Sequence, residues 1–158
     1  MGARADAIAK KFEAKAKEAA AVFEKISDAD WKKMTAAEKW PVGVVAHHIA
    51  QAHAGIGGMV RHVGTGGAPT GMTMDDIHKM NAQHAKDFGS VTKSETLELH
   101  RKNAAATAAI IRGLSDAELD RSGSVLGDIP AMTAEQLASG LLCSHVDEHL
   151  GSIRATVS

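Results

Sequence analysis

The sequence predicts an all-α protein, a four-helix bundle formed by one domain over residues 1–158. Apolar residues recur at three- and four-residue spacing in four long segments, and no stretch has the β-branched alternation typical of strands. A chain of 158 residues is also long enough to bury a core without disulfides or a structural metal. Hydrophobic residues make up 44% of the chain and charged residues 23%, which argues against a disordered protein.

The four long helices are expected at about residues 3–26, 41–63, 93–113 and 134–157. The first helix has a regular apolar face, formed by Ile8, Phe12, Ala16, Ala19, Phe23 and Ile26. Proline is accepted in a first helical turn, so Pro41 suits the start of the second helix. Capping pairs precede the third and fourth helices: Thr92 with Glu95, and Thr133 with Gln136.

Shorter helices are expected in the connections. Ser27 with Asp30 and Thr35 with Glu38 also have capping spacing, which predicts a short helical turn around Trp31.

After the second helix, the segment Gly64–Gly71 is too rich in glycine to continue it, and a shorter helix from about Met74 to Phe88 follows Thr73. The middle segment is therefore a long crossover connection that contains a short helix. Residues 115–132 predict a short helical turn and a loop.

Histidine is the unusual feature of the composition, since nine scattered histidines occur in a chain without tyrosine. His145 and His149 lie four residues apart in the last helix, so their imidazoles share one face and are close enough for one metal ion. They also continue the apolar row of Leu137 and Leu141, which directs them toward the bundle interior. The pattern alone leaves open an exposed or hydrogen-bonded histidine pair.

The same five residues match the inverted zinc-protease signature H-x-x-E-H, with Glu148 as the base. Only nine residues follow His149, so no chain remains to supply that motif's downstream carboxylate ligand. Glu148 is therefore expected to be a solvated charge. Glu-x-x-His and His-x-x-x-Glu do not occur, which argues against ferritin-like and haemerythrin-like metal sites.

A third ligand is expected from the second helix. At 100° per residue, His48 lies about 60° and His53 about 80° from the centre of the apolar stripe, whereas His47 points almost directly away. His48 is thus the best interior candidate, and His47 is expected at the surface. Surface or loop positions are also expected for His62, His78 and His84, although His84 is one turn from Asn81 and could line a cleft. His100 is expected to be a hydrogen-bonded core residue or a residue that hydrogen-bonds to a metal ligand.

Composition also bounds location and partners. The single cysteine, Cys143, cannot form an internal disulfide, which agrees with a reducing compartment, and it is expected to be a small buried side chain. Residues 1–17 have no secretory apolar core, so a cytoplasmic protein is expected. A net charge of -1 gives no basic field for nucleic acid, and no apolar run reaches the roughly 18 residues of a membrane span.

Two segments together resemble the DinB superfamily. Trp40–Ile49 resembles its second-helix motif, in which a Trp precedes a buried His by eight residues, and His145–Arg154 resembles its closing His-x-x-x-His-Leu-x-x-Ile-Arg. The resemblance covers essentially the full chain. It implies that His48, His145 and His149 form a histidine triad for one divalent metal ion, and that Asn81 lies near the site.

Function follows from the resemblance as an expectation. Characterised DinB relatives include thiol-dependent S-transferases, which implies a metal-dependent enzyme acting on a small molecule, such as a thiol S-transferase or a related hydrolase. Its cofactor would be zinc or nickel, with a low-molecular-weight thiol as cosubstrate. The alternative is a non-catalytic module that binds or senses metal or a small ligand. The oligomeric state stays open, a homodimer included.

Overall fold

The computed structural model describes residues 2–158 and confirms the predicted all-α four-helix bundle. Four long helices form the bundle: α1 (Ala3–Lys25), α3 (Val42–Gly64), α5 (Lys93–Arg112) and α7 (Leu142–Thr156). Three shorter helices lie in the connections: α2 (Asp28–Trp31), α4 (Met74–Asp87) and α6 (Asp116–Asp120). Helices α1 and α3 each pack against both α5 and α7, so the order around the bundle is α1, α5, α3, α7.

Most of the capping pairs act as predicted. Ser27 accepts a hydrogen bond from the Asp30 amide at the start of α2, and Thr92 with Glu95 forms a reciprocal capping box at α5. The Thr35–Glu38 pair does not cap a helix, because residues 36–38 form a turn. Lys39 has a left-handed backbone with φ of 59°, which prevents helical propagation, and Glu38 is left free to contact α7.

The core forms along the predicted apolar face of α1, all of whose members are buried. One cluster lies around Phe12, Ile111 and Leu137, and a second lies around Phe23 and Ile49. The second cluster also contains residues of α7, which fixes this helix against α3. The candidate site is built on these two helices.

A π-helical segment, Gln136–Leu141, leads into α7 and interrupts the continuous α-helix expected at residues 134–157. A π-turn adds one residue, so the buried positions Leu137 and Leu142 are five residues apart, whereas Leu141 is only half-buried. Leu141 nevertheless packs against the core cluster that contains Leu137, so the expected apolar row is retained, with Leu142 as the fully buried position of that turn. Just before this segment, Ser122–Gly123 pairs antiparallel with Met132–Thr133, with Ser122 opposite Thr133.

Among residues 2–158, no helix combines the length and the apolar character needed to cross a lipid bilayer.

Candidate metal centre

Three histidine side chains meet between α3 and α7. His48 comes from α3, and His145 and His149 come from successive turns of α7, each offering one ring nitrogen within 4.8 Å of the other two. The Nε2 atoms of His48 and His145 are 3.0 Å apart. A tetrahedral ion with metal–nitrogen bonds of about 2.05 Å separates its ligands by about 3.3 Å, so this spacing is close to what one ion requires.

Burial keeps two of these imidazoles, those of His48 and His145, neutral. His48 is 8% exposed, and burial, followed by the neighbouring His145 and His149, lowers its pKa to about 3. Burial, followed by the neighbouring His149, lowers the pKa of His145 to about 4. Metal ligation needs an unprotonated ring nitrogen, and both side chains meet that need at neutral pH. The donor set therefore fits a divalent transition-metal ion, for which imidazole is the commonest ligand.

Glu38 lies behind the triad, and the sequence analysis missed it. The Nδ1 of His149 is 2.8 Å from Oε1 of Glu38, and the Ser152 hydroxyl donates to Oε2 at 2.6 Å. Burial by itself would raise the pKa of Glu38, but hydrogen bonds from Ser152 and His149 outweigh it and hold this pKa below its usual value. No spacing signal links Glu38 to His149, because the contact joins a turn to a helix 111 residues further along the chain.

His47 is buried, so its expected surface position was wrong. Helix α4 packs against α3, and the ring of His47 packs against both His84 and Phe88 at the end of α4, with its centroid 4.2 Å from that of Phe88. Nδ1 of His47 is 2.7 Å from Nε2 of His84, which is itself buried, contrary to the expected surface or loop position. Burial lowers the pKa of His47 and takes that of His84 to about 4.

The α4 helix brings His84 close to the triad. The ring of His84 is 5.8 Å from that of His48, and its Nδ1 is buried without a hydrogen-bond partner in the described chain. Asn81, one turn earlier on α4, is half-buried, and its place in the site stays a prediction.

A second histidine pair lies deeper in the bundle. His53 and His100 are buried, and Nε2 of His53 is 3.1 Å from Nδ1 of His100. Nε2 of His100 donates to the carbonyl of Ala16 at 2.7 Å, so in a neutral ring its Nδ1 accepts a hydrogen bond from His53. The expected core role of His100 is confirmed. His78 is exposed as expected, and His62 is half-buried.

The other chemical candidates take the expected positions. Cys143 is 3% exposed, and burial raises the pKa of its thiol, so at neutral pH it is a neutral core side chain. Glu148 is exposed, in agreement with the expected solvated charge.

Fold and site together define a class: a helical bundle in which three histidines from two helices meet and could hold a metal ion. The chain belongs to the DinB superfamily, whose family model matches residues 11–153. A search of curated protein sequences finds no significant match.

Two solved structures share the fold. YfiT from Bacillus subtilis, described as a probable metal-dependent hydrolase with an unusual four-helix bundle topology, has a TM-score of 0.74 at 22% identity, over 96% of this chain and 83% of its own. A histidine-to-alanine mutant of a mycothiol-dependent maleylpyruvate isomerase has a TM-score of 0.75 at 10% identity. That alignment covers 97% of this chain, which spans 63% of the isomerase chain.

Proposed function

We propose that this protein holds one divalent metal ion, zinc or nickel, through His48, His145 and His149. The observation that carries the proposal is the convergence of three ring nitrogens within 4.8 Å of one another, two of them on rings that burial keeps neutral. Three imidazoles leave a divalent ion short of its usual coordination, which is the arrangement of catalytic rather than structural sites.

We further propose that the site serves a metal-dependent enzyme that joins a low-molecular-weight thiol to a small electrophilic molecule. When bound, a divalent ion lowers the pKa of a thiol or water at the site and polarises a substrate oxygen. In the transfer, the thiol sulfur forms a bond to the electrophilic carbon, the thiol proton passes to solvent, and the leaving group departs with its bonding electron pair. The metal dependence described for YfiT and the mycothiol dependence of the isomerase support this class of activity.

The chain's own residues bind the metal ion and orient its ligands. The ring of Trp40 packs edge-on against that of His48, with centroids 5.6 Å apart, and so supports the orientation of the His48 ring. Cys143 is a buried neutral thiol and is therefore unsuited to act as a nucleophile, so the reacting sulfur has to come from a cosubstrate. His48 and His145 are neutral donors, so they do not offset the charge that a bound cation would offer to the substrate.

A non-catalytic metal-binding or sensing module is the second candidate, and one observation favours it. Glu38, the carboxylate that contacts the triad, is engaged by His149 and Ser152, so it is not free to act as a general base. This candidate predicts stoichiometric metal without turnover of thiol.

Metal analysis of protein purified without a nickel column tests the binding proposal. We expect about one equivalent of metal in the wild-type protein, and its loss in His48→Ala, His145→Ala or His149→Ala. His78→Ala is the matched control, because it removes an exposed imidazole on α4. Metal that persists in all three triad variants contradicts the assignment.

Cobalt substitution tests the thiol. A thiol that bonds to cobalt adds intense near-ultraviolet charge-transfer absorption, and a screen that follows depletion of the thiol in the presence of electrophiles measures turnover. Absorption together with turnover supports the transferase. Metal binding with neither result favours the sensing module.

A further inference from the structure

We infer that Glu38 is a positioning residue that holds His149 with its proton on Nδ1, so that only Nε2 of this ring faces the other two histidines as a ligand. The inference rests on the proposed metal site and deepens it. It assigns a task to a residue that lies outside the triad and on a different part of the chain.

The direction of the Glu38–His149 hydrogen bond carries the first step. A carboxylate has only acceptor oxygens, so the 2.8 Å contact between Oε1 and Nδ1 requires the proton to lie on the imidazole. A neutral imidazole protonated on Nδ1 has its lone pair on Nε2. Carboxylate–histidine pairs of this kind set the tautomer and the ring orientation of metal ligands, and they raise ligand basicity.

Both oxygens of Glu38 are anchored to α7, which makes the carboxylate a fixed support rather than a mobile charge. Oε1 contacts His149, and Oε2 accepts a 2.6 Å hydrogen bond from the hydroxyl of Ser152, three residues later on the same helix. The contact is also largely shielded from water, because the side chain of Glu38 is 10% exposed and that of His149 is 16% exposed.

The turn that carries Glu38 is built to present it. The amide of Lys39 donates to the carbonyl of Thr35, and both the amide and the hydroxyl of Thr35 donate to the carbonyl of Trp40. Lys39 adopts a left-handed backbone, φ 59°, which residues other than glycine rarely adopt. The turn leads directly through Trp40 into α3, the helix of His48, so Glu38 ties the start of α3 to the α7 half of the triad.

Substitutions at Glu38 separate the hydrogen bond from the charge. Glu38→Gln keeps an oxygen acceptor at the same reach and removes the charge, whereas Glu38→Asp keeps the charge and shortens the side chain by one methylene. Glu38→Ala removes both. Glu148→Ala is the matched control, because it removes an exposed carboxylate next to His149 in sequence.

The first readout is the tautomer of His149, from long-range ¹H–¹⁵N correlation spectra of chelator-treated, ¹⁵N-labelled protein. We expect the Nδ1–H tautomer in the wild-type protein, in Glu38→Gln and in Glu148→Ala. Glu38→Asp and Glu38→Ala should convert His149 to a mixture that contains the Nε2–H tautomer. An unchanged Nδ1–H tautomer in Glu38→Asp overturns the inference, even if Glu38→Ala fails to fold.

The second readout is zinc affinity, measured by competition with a chromophoric chelator. Loss of such a supporting contact weakens metal binding by about 10- to 100-fold, so we expect losses in this range for Glu38→Asp and Glu38→Ala, and a smaller loss for Glu38→Gln. A larger loss in Glu38→Gln than in Glu38→Asp overturns the inference in favour of a purely electrostatic role. If the wild-type protein binds neither zinc nor nickel, the proposed metal site fails, whereas the tautomer readout still decides the role of Glu38.

Discussion

His53 should contribute to the sensitivity of the fold to acid, and His53→Gln should remove that contribution. The side chain of His53 is fully buried, and burial, followed by the neighbouring His100, lowers its pKa to about 3. In the unfolded chain the same imidazole has an ordinary pKa of about 6.5. Glutamine preserves the comparison at neutral pH, because its amide can also donate to Nδ1 of His100 and it does not titrate.

The sign and size follow from proton linkage. Above pH 6.5 neither state of His53 binds a proton, whereas between about pH 6.5 and pH 3 the unfolded state binds one and the folded state does not. Acid therefore favours unfolding. From about pH 7.5 to about pH 5.5 the free energy of unfolding should fall by about 1.3 kcal/mol because of this residue alone.

Denaturant unfolding of chelator-treated protein at both pH values measures this difference. The free energy of unfolding should fall by about 1.3 kcal/mol less in His53→Gln than in the wild-type protein, since the other histidines contribute equally to both. His78→Gln, at an exposed position, should retain the wild-type pH dependence. Equal pH dependence in wild type and His53→Gln would refute the reasoning, because it would mean that folding does not suppress protonation at this site.

Three further results are expected. Gly43→Ala should destabilise the fold by about 3 kcal/mol, because an added Cβ would overlap the indole of Trp31. Gly55→Ala should stabilise the fold by about 0.5–1 kcal/mol, because no atom lies within 4 Å of the added Cβ, and thermal melts compare the two variants. His47→Ala should keep the metal, but its free energy of unfolding should fall by about 2 kcal/mol, because the substitution leaves a cavity and an unpaired nitrogen on buried His84. Loss of metal in this variant would contradict the choice of His48 as the ligand from α3. Zinc at 100 times its dissociation constant should add about 2.7 kcal/mol to a fold that still melts cooperatively in chelator, and a chelated chain without a cooperative melt would identify the ion as structural.

Helix periodicity predicted the bundle and the inward position of His48, but it wrongly predicted that the neighbouring His47 lies at the surface. The phase argument assumes one buried stripe and one exposed face. Residues 42–50 of α3 are all buried, because α4 packs over the side that the periodicity left to solvent. His47 therefore meets His84 rather than water. A short helix in a long connection has no periodicity that reveals which helix it will cover.

The contact of Glu38 shows a second limit of prediction from the sequence. Its spacing from Thr35 matches a capping box, which is a local pattern, and the structure uses the side chain for a contact with His149, which is not local. The left-handed backbone at Lys39 decides between these alternatives. Lysine carries no conformational signal of that kind, unlike glycine or asparagine, so the turn could not be recognised from the residue types.

The π-helical segment gives the last helix two independent phases. One inserted residue rotates the chain on one side of the segment by about 100° relative to the other side. Ala134, before the segment, is therefore buried in one helical register, and the turns that carry His145 and His149 meet α3 in another. Deleting a single residue within Gln136–Leu141 would still allow a regular α-helix and would not conflict with the helix propensities of the remaining residues. It would nevertheless turn one of the two ends away from its neighbours. Length in this segment is therefore as strictly constrained as residue identity is elsewhere, and any alignment or redesign has to conserve the count of residues between Thr133 and His145.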